Sequence, residues 1–544
     1  MSELNKDVIY LILKELHNNN SLFPCLLVNR NWCKMAVPIL WENPFRYQLK
    51  VKARKIIINI ILSYLSEESR NDLKNQGIDL FTTYPQPLFN YISFWKCLNL
   101  TILESTIEVF IANTDITNIT KFKTPIVGKE IINVFNKNTK FHSLYNFSSL
   151  FISGNERCFS GLEYFWCNAT YYNNIIAEGL ATSNTSIKRL SFDILYNTQN
   201  SGIIKLIEGQ KNLKEVKFNY KSLPINNESR NRPLEEALIK CGDTIQYLRI
   251  DWKPSTKLFS YLVNLLSLEI NALGHKNWKH LENVSLPLLK FLKAHYVPSE
   301  ILAGLIENTK GNLIEISIHI QSTDEGRLIQ AIYQNCRNLN YLKLTLFSQN
   351  IPEFENLLIN CQFLNGLEII STYDGQIDWN KLFEVLTSST PISLFKFKFI
   401  YTKFNSYLKI NLDSLSLFLD NWKDRRPMLL QIFSTGTMLN TEQKQQHLQK
   451  LKDFLQKYKT NGVIKNYEID WLDSKTRPIL YLWISLRFKD IYSIIQLLTS
   501  EIEFRRVRAI MILQCGNNND LHIFIGQDGI TCILDYIMTL PINF

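Results

Sequence analysis

The sequence predicts an α/β chain: three short helices at the N-terminus, then a solenoid of strand-plus-helix units, then a helical C-terminal cap. Three observations carry this. Capping residues punctuate the first forty positions. An apolar hexamer recurs through the middle of the chain at nearly constant spacing. Apolar residues at helical spacing fill the intervals between hexamers.

In the first segment, residues 1–46, Asn5 is placed to cap a helix with Asp7 in its first turn. Val8, Ile9, Ile12 and Leu16 form the apolar stripe of that helix. Ser21 is placed to cap a second helix carrying Leu22, Leu26 and Leu27, and Asn29 a third that runs to Pro38. Three helices in so few residues bury little surface alone, so the apolar residues they leave exposed suit a partner.

Residues 47–145 read as a mainly helical connector. Ile56 to Leu65 and Ile107 to Ala112 look like buried helices, and Phe94, Trp95 and Leu98 suggest an apolar helix leading into the array.

Residues 146–401 hold the hexamer apolar-x-x-apolar-x-apolar. It occurs as Phe147/Leu150/Ile152, Leu162/Phe165/Cys167, Ile187/Leu190/Phe192 and Leu213/Val216/Phe218. It continues as Ile245/Leu248/Ile250, Leu265/Leu268/Ile270, Leu289/Leu292/Ala294 and Leu313/Ile316/Ile318, then as Leu339/Leu342/Leu344, Leu364/Leu367/Ile369 and Ile392/Phe395/Phe397. The mean separation of the eleven starts is about 24.5 residues. The last two apolar positions lie two apart and share one face of a strand. Between hexamers, Leu328, Ile329, Ile332, Tyr333 and Cys336 have helical spacing, as do Phe354, Leu357, Leu358 and Cys361. Each unit is a strand and a helix that bury their apolar faces only by stacking on neighbours, which describes a solenoid. An ordinary layered α/β domain is the alternative.

Residues 402–471 read as the C-terminal cap of the solenoid: helices over Leu412 to Trp422 and Glu442 to Tyr458, strands over Met428 to Phe433 and Val463 to Trp471. Residues 472–544 form a helical extension that loosely resembles an armadillo repeat, with an irregular helical cap as the alternative.

Composition narrows the function. The chain has 544 residues, of which 46% are hydrophobic, with only 19 Gly and 16 Pro, so disordered and collagen-like classes are out. The net charge of +10 is mild and its local runs are short, so nucleic acid is not an expected partner. No stretch approaches a membrane span and the N-terminus carries charges where a signal peptide needs an apolar core, so a cytoplasmic or nuclear protein is expected. The ten cysteines are then expected as free thiols. Cys241, Cys336 and Cys361 each stand three or four residues before a hexamer, where burial is their expected role. No Cys-x-x-Cys pair, phosphate loop or Gly-x-Ser-x-Gly occurs, and His275 and His280 are poorly spaced for a shared metal. No cofactor, metal or catalytic residue is expected.

Two resemblances follow from these residues. The array resembles leucine-rich repeats, although the Asn or Cys ladder position of that family holds Lys253, Phe347 and Thr372 here. The N-terminal segment resembles an F-box: Leu4 at the opening position, Asp7 at the acidic one, then Val8, Ile9, Ile12 and Leu16, then Val28, Arg30 and Trp32, and a trailing Leu40-Trp41, with Asn5 where Pro is usual. The resemblance to F-box proteins with leucine-rich repeats implies a non-catalytic, substrate-recognition subunit of an SCF-type ubiquitin ligase. Leu4, Val8, Ile9, Ile12, Leu16, Val28 and Trp32 would dock the Skp adaptor, and through it the cullin and RING core. The repeat array would hold a target protein. The alternative is a repeat scaffold that binds a protein or nucleic acid without ubiquitin chemistry.

Overall fold

A computed structural model describes residues 5–471 except 19–21, 47–48, 79–86, 113–119, 146–153, 155, 169–170, 195–199, 221–230, 272–277, 279–283, 320–325, 372–376, 402–411 and 435–440. Leu4, Ser21, the hexamer Phe147/Leu150/Ile152 and the 472–544 extension lie outside the described residues. The chain divides into two compact units between Leu213 and Lys214. Both are α/β, with fourteen strands and sixteen α-helices among the described residues.

The first unit begins with α1 (Lys6–Asn18), a 3-10 helix at Phe23–Leu27 and α2 (Arg30–Trp41). The expected second helix is thus a single 3-10 turn, entered through Pro24. Helices α3 (Val51–Ser63) and α4 (Glu67–Asn75) follow, then a 3-10 turn at Tyr91–Phe94 and β1 (Cys97–Asn99). The helix expected around Phe94, Trp95 and Leu98 is therefore a turn followed by a strand. Next come α5 (Leu100–Ala112), α6 (Thr120–Asn138), β2 (Ser143–Tyr145), β3 (Tyr164–Asn168), α7 (Tyr171–Ser183), β4 (Arg189–Ile194) and α8 (Ser201–Glu208). Strands β1 to β4 pair in chain order, all parallel.

The second unit alternates β5 (Glu215–Tyr220), α9 (Arg232–Lys240), β6 (Tyr247–Ile250), α10 (Leu258–Tyr261), β7 (Ser267–Asn271) and β8 (Phe291–His295). It continues with α11 (Ser299–Glu307), β9 (Glu315–His319), α12 (Gly326–Asn335), β10 (Tyr341–Thr345), α13 (Ile351–Asn360) and β11 (Gly366–Ser371). It ends with α14 (Trp379–Ser389), β12 (Lys396–Tyr401), α15 (Leu412–Asp420), β13 (Met428–Ser434), α16 (Thr441–Thr460) and β14 (Ile464–Trp471). These ten strands also pair in chain order and in parallel. Parallel neighbours joined by helices are what a solenoid of strand–helix repeats requires.

The hexamers are the core of both units. From Leu162/Phe165/Cys167 to Leu364/Leu367/Ile369, every one of their side chains is at most 1% exposed. At roughly 1.5–3 kcal/mol per fully buried large apolar side chain, the rungs stabilise one another only when stacked. One hexamer needs correction. Phe397 and Phe399 pair with Leu367 and Ile369 in β11, so the rung is Leu394/Phe397/Phe399. Ile392, read as its first position, is 86% exposed, whereas Leu394 is fully buried. The strand series also begins before residue 146, with β1 and β2, and runs past residue 401 with β13 and β14.

Adjacent repeats are stitched by a recurring backbone bond. One carbonyl before most strands accepts two successive amides of the next repeat: His142 and Ser143 donate to the Lys96 oxygen at 2.8 and 3.1 Å. Glu163 and Tyr164 do the same to His142, and in the second unit Ile314 and Glu315 do so to Lys290. The series opens on Glu42, whose carbonyl takes Lys96 and Cys97 at 2.9 and 3.1 Å. Glu42 caps α2, so the N-terminal helices feed directly into the first repeat. Trp95 locks this junction, its ring edge-on to Phe45 and Phe135 and its Nε1 donating to the Cys97 carbonyl at 2.6 Å.

At the helix end before two of the hexamers, a buried amide side chain bonds to the neighbouring repeat. Asn184 donates to the carbonyls of Phe159 and Leu162, and Gln210 donates to the Asn184 carbonyl while accepting from the Ile187 amide. Cys241, Cys336 and Cys361 fill the same place and are buried, as expected, with the Cys361 thiol 3.8 Å from the Cys336 carbonyl. Burial pushes both the Cys336 and Cys361 thiols up to about 12.

Candidate partner-binding surfaces

Two surfaces have the chemistry to receive a partner, one in each unit. The first is the N-terminal helical segment. The Asn5 side chain accepts the Asp7 amide at 3.2 Å and its carbonyl the Ile9 amide at 3.1 Å, while the Asn29 side chain accepts the Trp32 amide at 2.9 Å. Of the three expected caps, those at Asn5 and Asn29 therefore form, and Ser21 lies outside the described residues. Helix α1 turns Ile9 and Leu13 inward, at 6% and 0% exposure. It turns Val8 and Leu11 outward, at 42% and 64%. Ile12 and Leu16 sit at the margin, half-buried, as do Val28 and Trp32. Leu27, at the end of the 3-10 turn, is 65% exposed. Of the residues the F-box resemblance singles out, Ile9 belongs to the core of the unit, and Leu4 lies outside the described residues. Leu11 and Leu27 are the exposed apolar residues that the motif alone misses.

The second surface is the face of the second unit's strands that carries the side chains between the apolar rungs. Register sets Lys217, Arg249, Glu269 and Lys293 side by side on β5 to β8. Ser317, Lys343, Glu368 and Lys398 continue the row on β9 to β12. Neighbouring parallel strands lie ~5 Å apart, so such residues interact directly. Arg249 Nη1 lies 2.9 Å from Glu269 Oε1 and its Nε 3.4 Å from Asp251 Oδ1. The Tyr247 hydroxyl also donates to Glu269, at 2.9 Å. Glu368 is shared by Lys343 at 3.0 Å and Lys398 at 3.4 Å, and accepts the Tyr341 hydroxyl at 2.7 Å. Gly366 makes room for that tyrosine, because a Cβ there would come within 2.8 Å of Tyr341 Cδ2.

These charges are nearly dry. Glu368 is 1% exposed and Lys343 4%. Burial pushes the Glu368 carboxyl up, but Lys343, Lys398 and the Tyr341 hydroxyl hold it below the ordinary carboxylate range, so it is the ionised centre of the cluster. Burial lowers the Lys343 ammonium in spite of Glu368. Asp251 is the opposite case: burial outweighs Arg249 and the Tyr220 amide and lifts it to about 6.

His275 and His280, weighed from spacing, lie outside the described residues. Register instead brings His295 and His319 together on β8 and β9, their ring centroids 6.1 Å apart. Their separation of 24 residues equals one repeat, a signal visible only once the rungs are aligned. Among the described residues no group of three or more His, Cys, Asp or Glu could hold a metal ion, and no helix is long and apolar enough to cross a membrane.

Comparison with protein-family models and with curated protein sequences finds no match to this chain.

Proposed function

We propose that this chain is the substrate-recognition subunit of an SCF-type ubiquitin ligase. In this reading residues 1–46 are an F-box that docks the Skp adaptor, residues 47–145 connect it to the repeat array of residues 146–401, and residues 402–471 close that array. The array holds the target protein, the adaptor brings the cullin and RING core, and the setting is intracellular. The chain then works by binding and needs no catalytic residue of its own.

The observation that carries the reading is the apolar margin of the N-terminal segment. Val8, Leu11 and Leu27 are exposed, and Ile12, Leu16, Val28 and Trp32 are half-buried, in a segment whose inward residues Ile9, Leu13, Ala36 and Val37 are already packed. Apolar side chains gathered on one small unit and offered to solvent mark a protein-binding face, and Val8, Ile12, Leu16, Val28 and Trp32 among them have the spacing of the F-box resemblance. A pull-down of the full chain by the Skp adaptor of its source organism tests it. Retention of the wild type and loss of the Ile12→Ala/Trp32→Ala variant are expected. Equal retention of both rejects the assignment, and no retention of the wild type leaves the repeat scaffold without ubiquitin chemistry.

A further inference from the structure

The carboxyl ends of β8, β9 and β10 hold a cluster that the adaptor reading does not use. His295 and His319 stand on adjacent strands in register. His319 Nδ1 is 3.1 Å from the Thr345 hydroxyl on β10. Directly after His295, Tyr296 takes a left-handed backbone at φ 61°, its amide donating to the His319 carbonyl at 2.9 Å and its ring edge-on to the His319 imidazole at 5.5 Å. A left-handed tyrosine costs roughly 1–3 kcal/mol and persists only where its surroundings hold it, as they do at binding sites.

The charged residues of this stretch of sheet are four of each sign: Lys293 on β8, Arg249 on β6 with Asp251 directly after that strand, Glu269 on β7, Glu315 on β9, Lys343 on β10, Glu368 on β11 and Lys398 on β12. The acids are engaged elsewhere: Asp251 and Glu269 by Arg249, Glu368 by Lys343 and Lys398, and Glu315 by its attraction for Lys396. Lys293 has no ion-pair partner among the described residues. After burial, the largest charge effects on His295 come from cations and its fellow imidazole: Lys343, His319, Arg249 and Lys293. Of the four cations, Lys293 is thus the one without an ion pair among the described residues.

We propose that His295, His319 and Lys293 form a docking point for a carboxylate on an extended acidic segment of a protein, with Lys293 supplying the charge and the two imidazoles the hydrogen bonds. A monoanion fits better than a phosphate. One lysine is uncommitted, and the one nearby arginine, whose fork would suit a dianion, is already engaged by two carboxylates. An anion seated here restores the protonated form of the imidazoles, so binding tightens in acid. This deepens the proposed function by naming the chemistry of the target, and rests on the array being the target-binding part.

The test uses the full chain without any adaptor, so its outcome is independent of the adaptor assay. A fluorescent oligoglutamate peptide is titrated at pH 7.5 and pH 5.5 at constant ionic strength, beside an oligolysine peptide and a phosphoserine peptide of equal length. Burial and Lys343 lower His319 to about 4. Return of one imidazole to its ordinary value near 6.5 tightens binding about tenfold between the two pH values. Lys293→Gln weakens binding at both, and His319→Gln removes the tightening. Both side chains are part-exposed, and near-ultraviolet circular dichroism reports whether each variant folds. Should His319→Gln not fold, Lys293→Gln and the wild-type pH dependence decide. The proposal is overturned by absence of oligoglutamate binding, by equal affinity at both pH values, by equal binding of oligolysine, or by tighter binding of the phosphoserine peptide.

Discussion

The carboxylate of Glu235 on α9 accepts the indole Nε1–H of Trp252 at 3.0 Å, beneath the end of β6. The same carboxylate takes the amides of Ser255 and Thr256 at 3.0 and 2.8 Å and the Thr256 hydroxyl at 2.6 Å. Glu235 is fully buried, and Trp252 sets its ring edge-on to Phe218 and Tyr220. One side chain thereby fastens the 251–256 turn to its helix. Glu235→Ala leaves several buried donors unpaired and should destabilise the second unit by about 3 kcal/mol or more. Glu235→Gln keeps the volume but sets an amide donor against the amides it once accepted, so its loss is intermediate. Urea unfolding followed by tryptophan fluorescence ranks the three proteins, and equal midpoints would show that the turn holds itself.

Glu368 makes a second, sharper case. Removing it leaves Lys343 buried without its anion, and Glu368→Ala should cost about 3–5 kcal/mol. The cost belongs to the stranded lysine, so Lys343→Met in the same chain should recover part of it. A double-mutant cycle measures this coupling, and strictly additive losses would contradict it.

The pH dependence of stability contains two opposed slopes. His319 is held at about 4, below its unfolded value near 6.5, by burial and then Lys343. In that window the unfolded chain binds the extra proton, so this contribution is present above 6.5 and is lost as the pH falls toward 4. Asp251 is raised to about 6, chiefly by burial. There the folded chain binds the extra proton, so this contribution is present below about 4 and is lost as the pH rises toward 6. Each is worth up to about 3 kcal/mol, and they largely cancel. Relative to wild type, His319→Gln should therefore gain stability as the pH falls from 6 to 4, and Asp251→Asn should lose it. Chemical denaturation of both variants at several pH values reads the slopes, and slopes of the same sign for both would be inconsistent with these assignments.

Gly202 near the start of α8 sets helix propensity against packing. Alanine is favoured in a helix by about 1 kcal/mol. Here an added Cβ would fall on the Asn174 carbonyl of α7, whose side chain also accepts the Gly202 amide at 3.2 Å. Overpacking of this kind costs roughly 1–3 kcal/mol, so the clash wins and Gly202→Ala should destabilise the first unit. Ser201→Ala, one residue away and exposed, should change little. A more stable Gly202→Ala protein would mean that the two helices can separate without loss.

The apolar rungs were legible because burial on one strand face leaves a pattern with period two. The frame error at Ile392 shows where that signal fails. In Ile-Ser-Leu-Phe-Lys-Phe-Lys-Phe two overlapping frames both satisfy the hexamer, and only pairing with β11 decides between them. The β2 rung escaped notice because Phe141 and Leu144 are followed by Asn146, a polar third position. The N-terminal caps could be read locally, since Asn5 and Asn29 bond within three or four residues. The charged face could not. Lys343, Glu368 and Lys398 lie 25 and 30 residues apart, and their shared burial follows from register between strands. The same holds for His295 and His319.

The central claim is that the N-terminal helices form an adaptor-docking face, and calorimetric titration of the full chain with the Skp adaptor tests it most directly. A saturable one-to-one complex of micromolar or tighter affinity is expected for the wild type. Trp32→Ala should weaken it by about thirtyfold, the equivalent of about 2 kcal/mol at an anchoring residue. Lys293→Gln, in the other unit, should bind the adaptor as the wild type does. No heat of binding from the wild type, or an unchanged affinity for a folded Trp32→Ala protein, would contradict the account.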